Sequence, residues 1–223
     1  MSPCSPMTTR PRIICCILSA LVFASCGVLS DGPPQRVVRV KVLADPAMRQ
    51  RNAGWEKELR GLVEAASDYY EREFNVRFIT QSAAAWPSQE RIPSTADLLV
   101  RLKRDFPLER KEAGHDLIIA FTGESVSRYI GAGRPRVDKI GNCRDGLGYY
   151  AVVPVREVFR YGGPSADLTY DGVALIHELG HIFGAEHVAD GESIMNETFD
   201  YRTEFDMKNR NVILKNRNCP FAK

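Results

Sequence analysis

One short segment, HELGHIFGAEH, restricts the architecture of this chain more than any other and holds three of its four histidines. His177 and His181 are four residues apart, so on a helix both imidazoles project from one face and can reach one metal ion. Glu178 lies beside them. Gly184 suits a left-handed cap that ends the helix and turns the chain, after which His187 can return as a third ligand. The fold must therefore supply a helix that stops sharply beside a metal site.

Three histidines and one glutamate in this pattern are suited to hydrolysis. Three neutral imidazoles leave a tetrahedral Zn²⁺ with one open position, which is the layout of a catalytic site, whereas a fourth protein ligand would close it. Zinc lowers the pKa of a water in that position toward about 7, and Glu178 can accept its proton. The hydroxide then attacks a peptide carbonyl, and Glu178 passes the proton to the departing amine. We expect His177, His181 and His187 as zinc ligands and Glu178 as the general base.

The spacing HExxHxxGxxH resembles the zinc signature of the metzincin metalloproteases. That family also has a tight turn with a methionine beneath the zinc, and Ser193-Ile194-Met195-Asn196, eight residues after His187, is similar to it. The resemblance implies that Met195 forms an apolar floor under the metal without binding it. The alternative is an ordinary core methionine.

Two further segments are similar to the reprolysin or adamalysin branch of the metzincins. They are HDLIIAFTG at 115–123 and GNC at 141–143. The chain departs from that branch at Val188, because an aspartate usually follows the third histidine there. Glu197 stands two residues after the methionine, where astacin-like and serralysin-like members carry tyrosine, so a tyrosine ligand at that point is excluded.

The hydrophobic pattern predicts an α/β domain in which strands alternate with helices. The predicted strands cover 37–43, 75–80, 116–121 and 149–155, the predicted helices 55–74, 94–106, 171–183 and 203–214, and a loop covers 82–93. The initial strand-helix-strand order favours a parallel pair, so we expect a twisted, mostly parallel sheet. The metzincin resemblance adds an active-site cleft between an upper lobe (36–184), with the sheet and its helices, and a small helical C-terminal lobe (185–223). It also implies an antiparallel edge strand within 125–148 that pairs with extended substrate.

The composition of residues 1–25 predicts a signal peptide. Arg10 and Arg12 precede an apolar run at 13–24, which is shorter than the ~20 residues that a membrane-spanning helix requires. The segment ends FASCG, which resembles a bacterial lipobox. We therefore expect a lipid on Cys26, a tether at 26–35 and a membrane anchor in the bacterial cell envelope. The alternative is ordinary cleavage and free secretion.

Removal of the signal changes the charge and the cysteine count. It deletes two arginines and no acids, so the formal charge falls from +2 to 28 − 28, or zero, and nothing directs the chain to nucleic acid. Besides Cys26, only Cys143 and Cys219 remain of the six cysteines. In an oxidising compartment we predict a disulfide between them, with two buried free thiols as the alternative.

Three polar residues outside the ligand set have weaker assignments. His115 stands alone at the entrance of a predicted strand and is interpreted as a structural, hydrogen-bonded histidine. Glu186 and Asp190 flank His187 and are candidate acceptors for imidazole N–H groups. The alternative is that both acids are simply solvated.

These features predict one catalytic domain at 36–223, a monomer that hydrolyses protein or peptide substrates as a zinc endopeptidase outside the cytoplasm. Two alternatives stay open. One is a noncatalytic zinc-containing envelope protein that binds a peptide in its cleft, and the other is a zinc peptidase that acts on peptidoglycan peptides. Glu178 argues against the first, because a structural site needs no base beside an open metal position.

Overall fold

A five-stranded β-sheet forms the centre of the computed structural model, which describes residues 35–87, 94–110, 114–123, 134–197 and 202–222. The strands are β1 (Arg36–Ala44), β2 (Val76–Ala85), β3 (Leu117–Thr122), β4 (Arg136–Val137) and β5 (Tyr150–Pro154). Their order across the sheet is β2-β1-β3-β5-β4. β1, β2, β3 and β5 run parallel, whereas β4 runs antiparallel to β5 at one edge. The expected mostly parallel sheet is confirmed, and so is an antiparallel edge strand between residues 125 and 148.

The helices of the described residues are α1 (Pro46–Arg51), α2 (Trp55–Phe74), α3 (Thr95–Asp105), α4 (Tyr170–Ile182) and α5 (Met207–Asn216), with a short 3-10 helix at Leu108–Arg110. α2 covers the predicted residues. α3 follows the predicted cap, since the Ser94 side chain accepts a hydrogen bond from the Asp97 N–H. The sequence pattern does not predict α1, which Asp45 caps by accepting from the Met48 N–H at 2.7 Å.

The sheet lies between two helical layers. α2 and α4 share one apolar core with one face of the sheet, and Leu98 and Leu102 of α3 pack with Ile118 on the other face. All six residues of β3 are buried, as the continuously apolar strand of a covered parallel sheet must be. Tyr70 of α2 donates a hydrogen bond to the Ile176 carbonyl of α4 at 3.0 Å. The motif helix α4 is therefore a buried element of the fold.

The second strand is longer than its sequence pattern indicates. β2 continues to Ala85, although residues 82–93 are predicted as a loop. Its last residues pair with Lys41–Ala44 of β1 after a shift of register. Pairing with a distant segment overrides the weak strand preference of serine and alanine here.

The last helix starts later than its sequence pattern indicates. Asp206, not Thr203, is the N-cap, and its side chain accepts from the Asn209 N–H at 3.0 Å. Residues 203–205 are not helical, because the Glu204 carbonyl accepts a hydrogen bond from the Ile194 N–H at 2.7 Å instead of from a residue of the helix.

A disulfide joins Cys143 to Cys219, whose Cα atoms are 5.0 Å apart. Beside it, the Leu147 N–H donates to the Pro220 carbonyl at 2.8 Å, and the Ala222 N–H donates to the Leu147 carbonyl at 3.0 Å. The C-terminal segment is thus fixed, covalently and by backbone pairing, to the loop that precedes β5.

Several expectations lie beyond what the structure describes. The predicted signal at 1–25, Cys26 and nearly all of the tether fall outside the described residues. Within the described part of the chain, no helix combines the length and the apolar character needed to cross a bilayer. The lobe boundary after Gly184 stays a prediction.

Replacing both cysteines should destabilise the domain. We expect the Cys143→Ser/Cys219→Ser variant to lose about 4 kcal/mol of unfolding free energy, because the disulfide restricts the unfolded chain across a sequence separation of 76 residues. Equilibrium urea unfolding in the presence of a chelator measures this loss. Wild type treated with reductant is the control and should match the variant; identical midpoints for oxidised wild type and variant would contradict the expectation.

Candidate metal centre

Residues of the chain itself fix both ends of α4. At its start, Thr169 Oγ1 accepts a hydrogen bond from the Gly172 N–H at 3.2 Å. At its end, Gly184 has a φ of +100°, and its N–H donates to the His181 carbonyl at 2.9 Å. A Cβ on Gly184 would lie 2.5 Å from the Gly141 carbonyl oxygen. Both the backbone angle and the available space therefore require glycine at the turn that leads to the third histidine.

The three histidines of the motif meet at one point. The Nε2 atoms of His177, His181 and His187 lie 3.1 Å apart in each pair. A tetrahedral Zn²⁺ with bonds of about 2.0–2.1 Å separates its ligand nitrogens by about 3.3 Å. The triangle of nitrogens therefore fits a single divalent cation with little adjustment. Within the described ranges, these histidines are the one group of three or more His, Cys, Asp or Glu side chains whose ligand atoms lie close enough together to hold a metal ion.

Hydrogen bonds determine where the two buried ligands carry their protons. His177 Nδ1 lies 2.6 Å from the Ile194 carbonyl oxygen, and His181 Nδ1 lies 2.7 Å from the Ala185 carbonyl oxygen. Because a carbonyl oxygen only accepts, each Nδ1 carries the proton and each Nε2 presents its lone pair to the centre. Burial lowers the pKa of His177 to about 3 and that of His181 to about 4, so both rings are neutral at neutral pH. Lone pairs this close repel unless a cation lies between them.

The acidic residues that flank His187 have other partners. The Glu186 carboxylate is exposed and lies 3.4 Å from Lys208 Nζ. Asp190 is exposed and accepts a hydrogen bond from the Glu192 N–H at 3.0 Å. The hypothesis that these acids orient the ligands is therefore wrong for the two buried histidines, whose acceptors are backbone carbonyls. No sequence pattern could identify those carbonyls, since every residue carries one.

Glu178 lies beside the three nitrogens. Its Oε1 is 3.9 Å from His177 Nε2, and its side chain is buried. Burial raises the pKa of Glu178 to about 8, and the positive charge of Arg136 on β4 opposes that shift. A carboxylate removed from water in this way has a strong tendency to take up a proton. The residue is chemically suited to general acid–base work next to a metal.

Met195 packs against the helix that carries the first two ligands. It is fully buried, and a Cβ on Gly180 would lie 2.8 Å from its Sδ. The glycine of the HELGH sequence thus leaves room for the sulfur. The Met195 carbonyl accepts from the Val188 N–H at 3.1 Å, which connects the methionine turn to the residue after the third histidine.

A comparison with protein families decides the assignment. The sequence model of the family described as Metallo-peptidase family M12 (Reprolysin_5) matches residues 34–220, which is most of the chain. The chain belongs to metallopeptidase family M12. Membership confirms the resemblance to the metzincin metalloproteases. Membership also explains why three imidazoles converge, because a metallopeptidase needs a metal and these three histidines are placed to bind one.

Solved structures share the fold of this M12 metallopeptidase at low sequence identity. Archaemetzincin from Methanopyrus kandleri aligns with a TM-score of 0.55 and 18% identity, over 83% of this chain and 98% of that chain. A chain in a structure of a chaperone–substrate complex aligns with a TM-score of 0.57 and 11% identity, over 83% of this chain but only 35% of that chain. These likenesses concern the fold alone, and they confirm a metzincin-like α/β architecture.

Residues far from the motif in sequence complete the surroundings of the M12 site. Arg136 influences Glu178, yet sequence reasoning missed it, because only the sheet order places β4 near α4. Asn209 contacts the backbone beside the third histidine, and its own neighbours in the sequence give no signal of that contact. His115 is buried, with Nε2 2.7 Å from the Tyr149 hydroxyl oxygen, as a structural histidine should be.

In the metal-free M12 metallopeptidase, Glu178→Gln should remove a pH-dependent loss of stability. The pKa of Glu178 is raised from 4.5 to about 8 in the fold, so the native state binds more protons than the unfolded state between those values. Its contribution to stability is then lost as pH rises through that window. We expect wild type to lose ~3 kcal/mol of unfolding free energy relative to Glu178→Gln between about pH 5 and about pH 8.

Urea unfolding of both proteins with chelator present measures this difference in stability. A difference that does not change with pH would contradict a raised pKa for Glu178.

Proposed function

We propose that this chain is a zinc endopeptidase that hydrolyses internal peptide bonds, with Glu178 as its general base. The observation that carries the proposal is the buried Glu178 carboxylate, 3.9 Å from the Nε2 of His177, beside three converging imidazole nitrogens. A structural metal site has no use for a buried base, since its four ligands fill the coordination sphere. A hydrolytic site needs one.

Zinc is the metal we assign to this donor set. Three neutral imidazoles at the observed spacing suit tetrahedral Zn²⁺, and hard cations such as Mg²⁺ and Ca²⁺ prefer oxygen ligands. When bound, zinc supplies Lewis acidity, which lowers the pKa of water and polarises a carbonyl group. His177, His181 and His187 would hold it.

Glu178 moves the proton in this scheme. Its carboxylate takes the proton from the attacking water and gives it to the nitrogen of the departing amine, so no net proton is gained or lost at the residue. The low polarity around Glu178 makes the carboxylate a stronger base than a solvated one. Arg136 prevents the pKa from rising further, which keeps a share of the residue ionised near neutral pH.

An extended peptide is the substrate we assign to the edge of the sheet. β4 ends the strand order and runs antiparallel to β5, and its Arg136 is close enough to lower the pKa of Glu178. A peptide that adds to such an edge is bound through its backbone. Backbone pairing does not require a free peptide end, which supports cleavage within a chain rather than at a terminus.

Loss of the base should abolish hydrolysis without loss of the metal. We expect Glu178→Gln to lower kcat/KM on unfolded casein by at least about 100-fold, while the bound zinc, measured by atomic absorption, stays at the wild-type level. Glu192→Gln, an exposed glutamate in the following loop, is the matched control and should cleave like wild type.

A Glu178→Gln variant that cleaves casein as fast as wild type would contradict the mechanism. A wild type that binds zinc but cleaves neither casein nor cell-wall fragments favours the noncatalytic binding protein. Cleavage of cell-wall fragments alone favours the peptidase that acts on peptidoglycan peptides.

We further propose that the chain is exported and held in the cell envelope by a lipid on Cys26. The disulfide between Cys143 and Cys219 supports an oxidising compartment, because cytosolic thiols are kept reduced. The apolar run at 13–24 and the FASCG sequence support lipoprotein processing.

Inhibition of lipoprotein signal peptidase tests the anchor. In cells that produce the full chain, we expect globomycin to cause accumulation of a longer precursor on an immunoblot, and Cys26→Ser to prevent processing without the drug. Normal maturation under both conditions would indicate ordinary cleavage and free secretion instead.

A further inference from the structure

The third ligand of the metal centre lacks the support that the first two have. His177 and His181 are buried side chains on α4, so the helix and the core hold them in place. His187 is exposed and follows the turn at Gly184, outside any helix. A metal affinity that depends on three nitrogens at fixed spacing requires something else to direct this residue.

Asn209 of α5 supplies that support to the backbone next to His187. Its Oδ1 accepts a hydrogen bond from the Glu186 N–H at 2.9 Å, and its Nδ2 donates to the Glu186 carbonyl at 2.9 Å. The side-chain amide of Asn209 thus binds both the backbone N–H and the backbone carbonyl of Glu186, as a neighbouring β-strand would. On the other side of His187, the Val188 N–H is bound to the Met195 carbonyl. The backbone is therefore fixed immediately before and immediately after the ligand.

The orientation of the Asn209 amide is itself fixed by Asp206. Asn209 Nδ2 donates to Asp206 Oδ2 at 2.8 Å, and a carboxylate only accepts, so the nitrogen must face Asp206. The same oxygen accepts from the Ser193 hydroxyl at 2.8 Å, and Ser193 Oγ accepts from the Met195 N–H at 3.1 Å. One polar network thus connects the methionine turn to the segment that carries the third ligand.

The burial of Asn209 favours a specific role over general packing. Only 1% of the residue is exposed, and a buried amide is unfavourable in a helix core unless its polar atoms are paired. An aliphatic residue would fill this position on α5 without that requirement. The presence of a buried amide here is explained by its hydrogen bonds to the backbone of Glu186, the residue before His187.

We propose that Asn209 is a positioning residue of the metal centre, which directs His187 by binding the N–H and the carbonyl of Glu186. The inference rests on the zinc site of the proposed function but not on peptide cleavage. It assigns to α5, through a residue 22 positions after the ligand in the sequence, a share of the affinity for metal.

The test compares two substitutions of Asn209 with a matched control. Asn209→Leu removes both hydrogen bonds, and Asn209→Asp keeps the shape but loses the donor to Glu186. Asn211→Leu makes the same change at an exposed asparagine of the same helix. For each purified protein, three quantities are measured: the Tm without metal, the Kd for zinc by competition with a chromophoric chelator, and the visible absorption spectrum of the Co²⁺ form.

We expect both Asn209 variants to bind zinc about 10- to 100-fold more weakly than wild type. The Co²⁺ spectra of both should change in intensity and band position, because the third imidazole no longer has a fixed direction. Asn211→Leu should reproduce the wild-type Kd and spectrum.

Other outcomes overturn the proposal. A wild-type Kd and Co²⁺ spectrum with only a lower Tm would make Asn209 a purely structural residue, and so would failure of both variants to fold without metal. A wild type that binds no zinc would overturn this proposal and the proposed function together. A wild type that binds zinc but cleaves no peptide would overturn only the peptidase.

Discussion

Three imidazole nitrogens that converge on one point are the constraint on which this structure depends. Their nitrogens lie 3.1 Å apart, and backbone carbonyls keep the protons of the two buried rings on the opposite ring nitrogens. Without a cation this arrangement is unfavourable, so the rest of the fold has to maintain it. A buried helix, a glycine turn and a polar network from α5 do so. Metal binding then relieves a repulsion that the folded chain already contains, which couples metal affinity to stability.

The buried glutamate follows the same logic. A lone carboxylate in the core destabilises the folded state, and packing alone gives no reason for one there. Glu178 stands next to His177 on the same helix, so the geometry that places the metal-binding histidines also places the proposed base. The site is therefore a place where the chain gives up stability for chemistry, as functional sites commonly do.

The sequence predicts those parts of the fold that local chemistry determines. The spacing of His177 and His181 and the glycine at 184 define the end of α4, and apolar periodicity defines α2 over its whole length. The extension of β2 and the start of α5 depend on pairing with distant segments, which no local pattern records. The role of Asn209 likewise depends on a distant segment, since its partner Glu186 lies 23 residues earlier.

The order in which these parts occur along the chain affects how the centre forms. The three histidines and the proposed base are complete at residue 187, but the amide that binds the backbone beside the third histidine and the cysteine that closes the loop beside α4 come later, on and after α5. A chain that is synthesised from its N-terminus therefore carries all its ligands before it carries their supports. The full set of contacts around the centre therefore requires the C-terminal segment to be in place against the loop beside α4.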